Sequence, residues 1–236
     1  MEKFFLKTSD GIKIAVNHHK SGHKELVILI HGWFMTNDSK AFSSMAKDFS
    51  EHFDVISFDC RGHGKSSGFY TFTSKETIDL ETVVNYAKKY YEKIYLIGFS
   101  LGGAIALIHG AIHSDIDKII VVSAPSDFNK IENQMWKKEA WIPTLKKFEL
   151  KRWISVRPSL IIRKKIKPIE IIENVKTPTL FIAGVKDPTV HNWHTKKLYD
   201  KAICKKHFEL FNSIHAEDLY LDEPKKFINT CINWLK

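Results

Sequence analysis

The sequence predicts an α/β protein: a mostly parallel central sheet flanked by helices. Short apolar runs of the buried-strand kind recur along the chain, and longer stretches with helical spacing separate them. The alternation stops once, between Phe128 and Pro168, and then resumes.

The elements follow in order. Lys13–Asn17 alternates as a half-buried strand does, and Leu26–Ile30 is a continuous apolar run suited to a strand covered on both faces. Ala41–His52 reads as a helix and Asp54–Phe58 as a strand. Thr73-Ser74-Lys75-Glu76 spells a capping box, which predicts a helix running to about Tyr91. Then come the strand Ile94–Gly98, a helix from Ser100 to about His113, and the strand Ile119–Ser123. From Phe128 to Pro168 the chain is rich in Trp and Lys, and Pro143, Pro158 and Pro168 cut it into two or three short helices. A strand at Thr179–Gly184, a helix at Trp193–Ala202, a strand at Lys206–Leu210 and a last helix at Pro224–Leu235 complete the pattern. The expected organisation is one core domain, residues 1–127 with 169–236, interrupted after its sixth main strand by a helical insert at 128–168. Repeats and low-complexity tracts are absent from the sequence.

A chain of 236 residues is long enough for one domain with a substantial core. It holds no run of about 18 apolar residues, so no transmembrane helix is expected. The stretch Met1–Lys7 turns charged too soon for the apolar core of a signal peptide. Cys60, Cys204 and Cys231 are odd in number and far apart, matching neither a disulfide framework nor a zinc set. Reduced thiols in a cytoplasmic protein are the expectation. The net charge of +9 is local: residues 128–168 hold 12 Lys and Arg against 3 Glu, while the rest holds 24 of each sign. That distribution describes an insert with its own surface, not a nucleic-acid-binding domain.

Chemistry concentrates at Gly98-Phe99-Ser100-Leu101-Gly102, a complete G-x-S-x-G between an apolar strand and a helix. A serine hydroxyl is a weak nucleophile that must be exposed, aimed and served by a base. A tight strand-to-helix turn exposes it, and the flanking glycines permit the turn. At these residues the chain resembles the α/β-hydrolase superfamily, over nearly its whole length. His31-Gly32-Trp33 is similar to the family's oxyanion segment, and Asp59-Cys60-Arg61-Gly62-His63-Gly64-Lys65-Ser66 to its D-x-R-G-x-G-x-S turn. Gly184-Val185-Lys186-Asp187 resembles the turn bearing the acid, and Ser213-Ile214-His215 stands where the family places its histidine. The order Ser, Asp, His is that of this fold.

The resemblance implies a division of labour. Ser100 is the nucleophile, His215 the general base, and Asp187 the acid that holds the imidazole tautomer. The backbone N–H of Leu101 and, by resemblance, that of Trp33 form the oxyanion hole. Asp127 is the rival acid, because some relatives draw theirs from the end of the sixth strand. His63, Asp59 and Arg61 are expected to tie down their own turn, and His31 to support the oxyanion loop. His191 and His194, spaced i,i+3, lack an evident third metal ligand and read as a solvated helix start. No metal and no cofactor are expected, since no phosphate loop or dinucleotide fingerprint is present. A serine at position 100 also excludes the relatives that need an aspartate nucleophile, the haloalkane dehalogenases and epoxide hydrolases.

In this family an insertion after the sixth strand forms a cap over the site, which makes 128–168 the expected determinant of specificity. The resemblance points to a small-molecule ester as substrate: short- to medium-chain acyl, monoacylglycerol-type or aromatic. Two alternatives stay open. One is a serine aminopeptidase or thioesterase with the same triad, and the other is a non-catalytic ligand-binding module. The aminopeptidase would want an acid in the cap for the substrate ammonium, where only Glu132, Glu139 and Glu149 stand. Trp136, Trp141 and Trp153, interleaved with Lys146, Lys147, Lys151 and Arg152, also suit weak peripheral contact with anionic lipid. A solvated basic surface is the alternative there. The sequence does not give the oligomeric state.

Overall fold

The computed structural model describes residues 1–132, 156–159 and 165–236. Its strands are β1 (Glu2–Lys7), β2 (Lys13–His19), β3 (Glu25–Ile30), β4 (Asp54–Phe58), β5 (Lys93–Phe99), β6 (Lys118–Val122), β7 (Thr179–Gly184) and β8 (Lys206–Phe211). The helices are α1 (Lys40–Phe49), α2 (Glu76–Ala87), α3 (Leu101–Ile112), α4 (Pro168–Ile171), α5 (Asn192–Lys201), α6 (Asp218–Asp222) and α7 (Pro224–Leu235). All eight strands join one sheet in the order β1-β2-β4-β3-β5-β6-β7-β8. β1 and β2 pair antiparallel, as do β2 and β4, and every later pair is parallel.

Period-two alternation divides each central strand between two cores. In β3, Leu26, Ile28 and Ile30 face one side, where Leu80, Val83 and Val84 of α2 and Ile105 and Leu107 of α3 cover them. Val27 and Leu29 face the other, against Phe42, Met45 and Phe49 of α1 and Phe227 and Cys231 of α7. Because both faces are covered, these strands read as unbroken apolar runs. The parallel register brings the carboxyl ends of β3, β5, β6, β7 and β8 to one edge, where ligand sites of such sheets form.

Four local expectations differ from the structure. β1 has no counterpart in the sequence reading: it is an edge strand, exposed at Glu2, Lys3, Phe5 and Lys7, so its composition carries little burial signal. The predicted capping box is not made. α2 starts at Glu76, whose carboxylate accepts from the Thr71 N–H (2.6 Å) and hydroxyl (3.0 Å), while Thr73 stands outside the helix at φ 77°. The helix also ends at Ala87 rather than near Tyr91. Finally, the short helix α6 behind His215 was not anticipated.

The expected helical cap falls mainly on residues 133–155 and 160–164, outside the described residues, and with it the tryptophans and basic cluster named above. Its described ends and one return point are tied to the body. Asp127 pairs with Lys167 at 3.0 Å. Residues 156–159 run beside the turn after β4: Tyr70 N–H donates to Arg157 O (2.8 Å), Ser159 N–H to Tyr70 O (2.8 Å), and Arg157 N–H to Gly62 O (2.7 Å). Among the described residues no helix is long and apolar enough to cross a membrane.

Buried histidines make this fold sensitive to acid. His18, fully buried at the end of β2, donates from Nε2 to Tyr91 Oη (2.6 Å), whose own hydroxyl donates to Asp54 (2.7 Å). Burial pushes its imidazole down to about 4. An unfolded histidine binds its proton near 6.5, so between about 6.5 and 4 the unfolded chain holds more protons and stability falls as pH falls. Urea denaturation at pH 7 and pH 5 should show that loss, and His18→Gln should shrink it. An unchanged loss in the variant would assign the acid sensitivity to another group.

Candidate active site

The site begins at the β5–α3 turn. For α3 to leave β5 at once and pack back on the sheet, backbone must meet backbone. A Cβ at Gly98 would lie 2.4 Å from Gly102 O, and one at Gly102 would lie 2.2 Å from Ile30 O. Between them Ser100 adopts φ 53°, ψ −118°, a conformation costing a non-glycine residue about 1–3 kcal/mol. Its N–H donates to Val122 O (2.8 Å), which fixes the turn to β6. The side chain is thereby lifted off both strand and helix.

Two loops at the same sheet edge reach it. His215 Nε2 stands 3.0 Å from Ser100 Oγ, and His215 Nδ1 stands 2.6 Å from Asp187 Oδ2. A carboxylate only accepts, so Nδ1 carries the ring hydrogen and Nε2 presents its lone pair to the serine hydroxyl. The other Asp187 oxygen accepts from the Thr189 and Val190 N–H groups, both at 2.9 Å, which locks the carboxylate on its loop. The histidine loop is tied to the β7 turn by Lys186 N–H to Ser213 O (3.0 Å) and to β6 by Ala216 N–H to Ser123 Oγ (3.2 Å). Ser123, itself at φ 51°, escaped the sequence reading because it looks like the last residue of a strand. Asp127, the rival acid, is engaged elsewhere, accepting from Asn129 N–H (3.0 Å) and pairing with Lys167. Burial would raise its pKa, but these two partners outweigh burial and hold it below the usual carboxylate range.

The segment expected to form the oxyanion hole, His31-Gly32-Trp33, approaches from β3. A Cβ at Gly32 would lie 2.9 Å from Phe99 O and 3.0 Å from Ser100 Cβ, so glycine is what lets the segment come this close. Leu101 heads α3, where an N–H has no intrahelical acceptor. His31 orients the next peptide. Its Nε2 accepts from Cys60 N–H (2.9 Å), so the hydrogen sits on Nδ1 and is donated to Gly32 O (2.7 Å). In a trans peptide C=O and N–H point opposite ways, so pinning the Gly32 carbonyl to His31 turns the Trp33 N–H away from His31.

The remaining motif residues tie structure together. Arg61 donates to both oxygens of buried Asp79 and to Asp10 (2.7 Å). Asp59 accepts from Asn37 N–H (2.8 Å) and Lys65 N–H (2.9 Å), joining the loop after β3 to the turn after β4. Burial holds His63 well below the usual imidazole range. His194 corrects the expectation of a solvated helix start: it is fully buried. Its Nδ1 accepts from Ser126 N–H (3.1 Å), so Nε2 carries the hydrogen and donates to Lys130 O (3.1 Å). Both ring nitrogens are engaged and neither is offered to a metal. Among the described residues no group of three His, Cys, Asp or Glu side chains could hold one.

A family model described as alpha/beta hydrolase fold matches residues 25–144. The AB hydrolase superfamily protein YisY of Bacillus subtilis is 31% identical over 125 residues, 51% of this chain and 44% of that protein. A pimeloyl-acyl-carrier-protein methyl ester esterase of Vibrio cholerae is 28% identical over 116 residues, 49% of this chain and 43% of that protein. The chain thus spans under half the length of these curated relatives. The Pyrococcus furiosus esterase Pf2001 superposes with a TM-score of 0.80 at 22% identity, covering 99% of this chain and 89% of that one. An esterase from Exiguobacterium antarcticum gives 0.76 at 21% identity, with 99% of both chains covered. At such identity these two structures speak to the fold.

The strain at position 100 is measurable. Ser100→Ala keeps the Cβ that the turn disfavours, whereas Ser100→Gly removes it. Relief of about 1–3 kcal/mol outweighs the roughly 0.4–1 kcal/mol that glycine adds to unfolded-chain freedom. Chemical denaturation should therefore find Ser100→Gly the more stable of the two by about 1 kcal/mol. Equal stabilities would mean the turn is unstrained.

Proposed function

The chain belongs to the α/β hydrolase fold family, and on that premise we propose that it is an esterase working through an acyl-enzyme on Ser100. One observation carries the reading: the unbroken line from Ser100 Oγ through His215 to Asp187, at 3.0 and 2.6 Å. As Oγ attacks the ester carbonyl, His215 Nε2 takes its proton, and the imidazolium that forms is stabilised by Asp187. The N–H groups of Leu101 and Trp33 receive the charge developing on the carbonyl oxygen. His215 returns its proton to the departing alcohol, and water repeats the sequence to release the acid and regenerate Ser100.

Of the three acids an aminopeptidase could use for the substrate ammonium, Glu139 and Glu149 lie outside the described residues, and the described one, Glu132, does not favour peptides. Its carboxylate instead accepts from Trp193 Nε1 (2.6 Å) and the His191 N–H (3.2 Å). The related proteins named as esterases point the same way.

Ser100→Ala should lower kcat for a simple ester by roughly 10⁵–10⁶-fold, because members of such a triad act as a unit. A fluorophosphonate should label the wild type at Ser100. Full activity in the variant, or labelling elsewhere, would overturn the assignment.

The choice of acid has its own check. Asp187→Asn should cost roughly 10⁴-fold in kcat, whereas Asp127→Asn should cost under tenfold. Reversal of those two effects would move the acid to the end of β6.

A further inference from the structure

Lys165, where the chain returns from the insert, has an unusual setting for a cation. Its Nζ lies 4.9 Å from the centre of the Phe72 ring and 5.9 Å from that of Phe128. Among the described residues no carboxylate pairs with it. Burial pushes its pKa down, and Glu76 acts against that only at a distance, its own carboxylate being taken by Thr71. A half-buried ammonium between two rings keeps hydrogen-bonding capacity that neither ring fills.

The same rings lead to the reaction centre. Phe72 packs on Trp33 (4.8 Å between ring centres) and on Tyr70 (5.1 Å), and Trp33 and Tyr70 close the triangle at 5.2 Å. Among the described residues three buried donors on this cluster, Trp33 Nε1, Tyr70 Oη and Thr73 Oγ1, have no partner, and neither has the Nε2 of His63 beside them. A buried polar group left unpaired costs about 1–3 kcal/mol, so three of them in one cluster ask for an acceptor. The segment is also held in a disfavoured backbone, with Phe72 at φ 53° and Thr73 at φ 77° although neither is glycine. Strain of this kind persists where the surroundings enforce it, and it collects at ligand sites. Trp33 is the residue whose main-chain N–H is assigned to the oxyanion hole, so the cluster adjoins the reacting carbonyl.

We propose that this cluster is the subsite for a carboxylate borne by the substrate, making the preferred ester a monoester of a dicarboxylic acid. The assignment rests on the esterase reading above and deepens it. Lys165 supplies the charge, the indole and hydroxyl groups supply the donors that an acceptor-only carboxylate needs, and the rings line the methylene spacer. The neutral imidazole of His63, 5.5 Å from Trp33 and 4.5 Å from Tyr70 by ring centres, adds no second cation.

The test compares monomethyl glutarate with methyl hexanoate, an uncharged ester of similar length, by pH-stat. The ratio of kcat/KM for the acidic to the neutral ester should fall about tenfold or more in Lys165→Met and be kept in large part by Lys165→Arg. Because it is a ratio, general loss of folded enzyme cancels. A ratio unchanged in Lys165→Met would overturn the subsite and leave the esterase reading standing. If the wild type hydrolyses neither ester, the esterase reading is what fails. The subsite is then read by calorimetric titration of monomethyl glutarate into Ser100→Ala with and without Lys165→Met. Binding weakened about tenfold by the second substitution supports it, and equal or absent binding overturns it.

Discussion

Everything at the site depends on one close approach: the backbone contact between Gly98 and Gly102, which lets α3 leave β5 without a connecting loop. That contact is what holds Ser100 at φ 53°. Had the turn relaxed, the Ser100 hydroxyl would no longer meet His215 Nε2 at 3.0 Å. The cost is local and of order 1–3 kcal/mol. It is sustained by β5, whose neighbours β3 and β6 bury it on both sides.

The other parts reach this turn by hydrogen bonds whose direction is dictated by donor and acceptor type. The His215 ring can donate to Asp187 only from Nδ1, which leaves Nε2 for the serine. His31 can accept from Cys60 only at Nε2, which leaves Nδ1–H for the Gly32 carbonyl. In both cases a main-chain or carboxylate partner chooses the tautomer, and the tautomer then fixes which ring nitrogen meets the Ser100 hydroxyl or the Gly32 carbonyl. Asp59 and Ser123 carry the same logic one step outward by fastening the loops that bear Trp33 and His215.

How much of this was legible in the sequence follows from how local each signal is. The apolar runs at Leu26–Ile30 and Ile94–Gly98 announce strands covered on both faces, and the elbow between Gly98 and Gly102 is spelled in five residues. β1 was missed because an edge strand with exposed side chains resembles any polar segment. The capping box at Thr73 misled because its Glu76 answers Thr71 instead, a choice made by the turn that packs Tyr70 against Trp33. Asp187 and Asp127 each end a βα segment, and only the fold shows which carboxylate reaches His215. Lys165 disappeared among the basic residues of the insert, since charge counted in bulk conceals a cation set between Phe72 and Phe128.

The strand-like contact of Tyr70 with Pro158 divides the excursion between β6 and β7 into two smaller circuits. Chain closure grows only logarithmically with length, each doubling adding about 0.6 kcal/mol, once the ends of a circuit are held. The longer circuit, from Asp127 to Arg157, can therefore lengthen, shorten or exchange its composition at little expense to the body. The shorter, from Ser159 to Lys167, brings Lys165 back to Phe72. Drift in the first is insulated from the second, so a lineage could rework the longer circuit while keeping the return of Lys165 to Phe72.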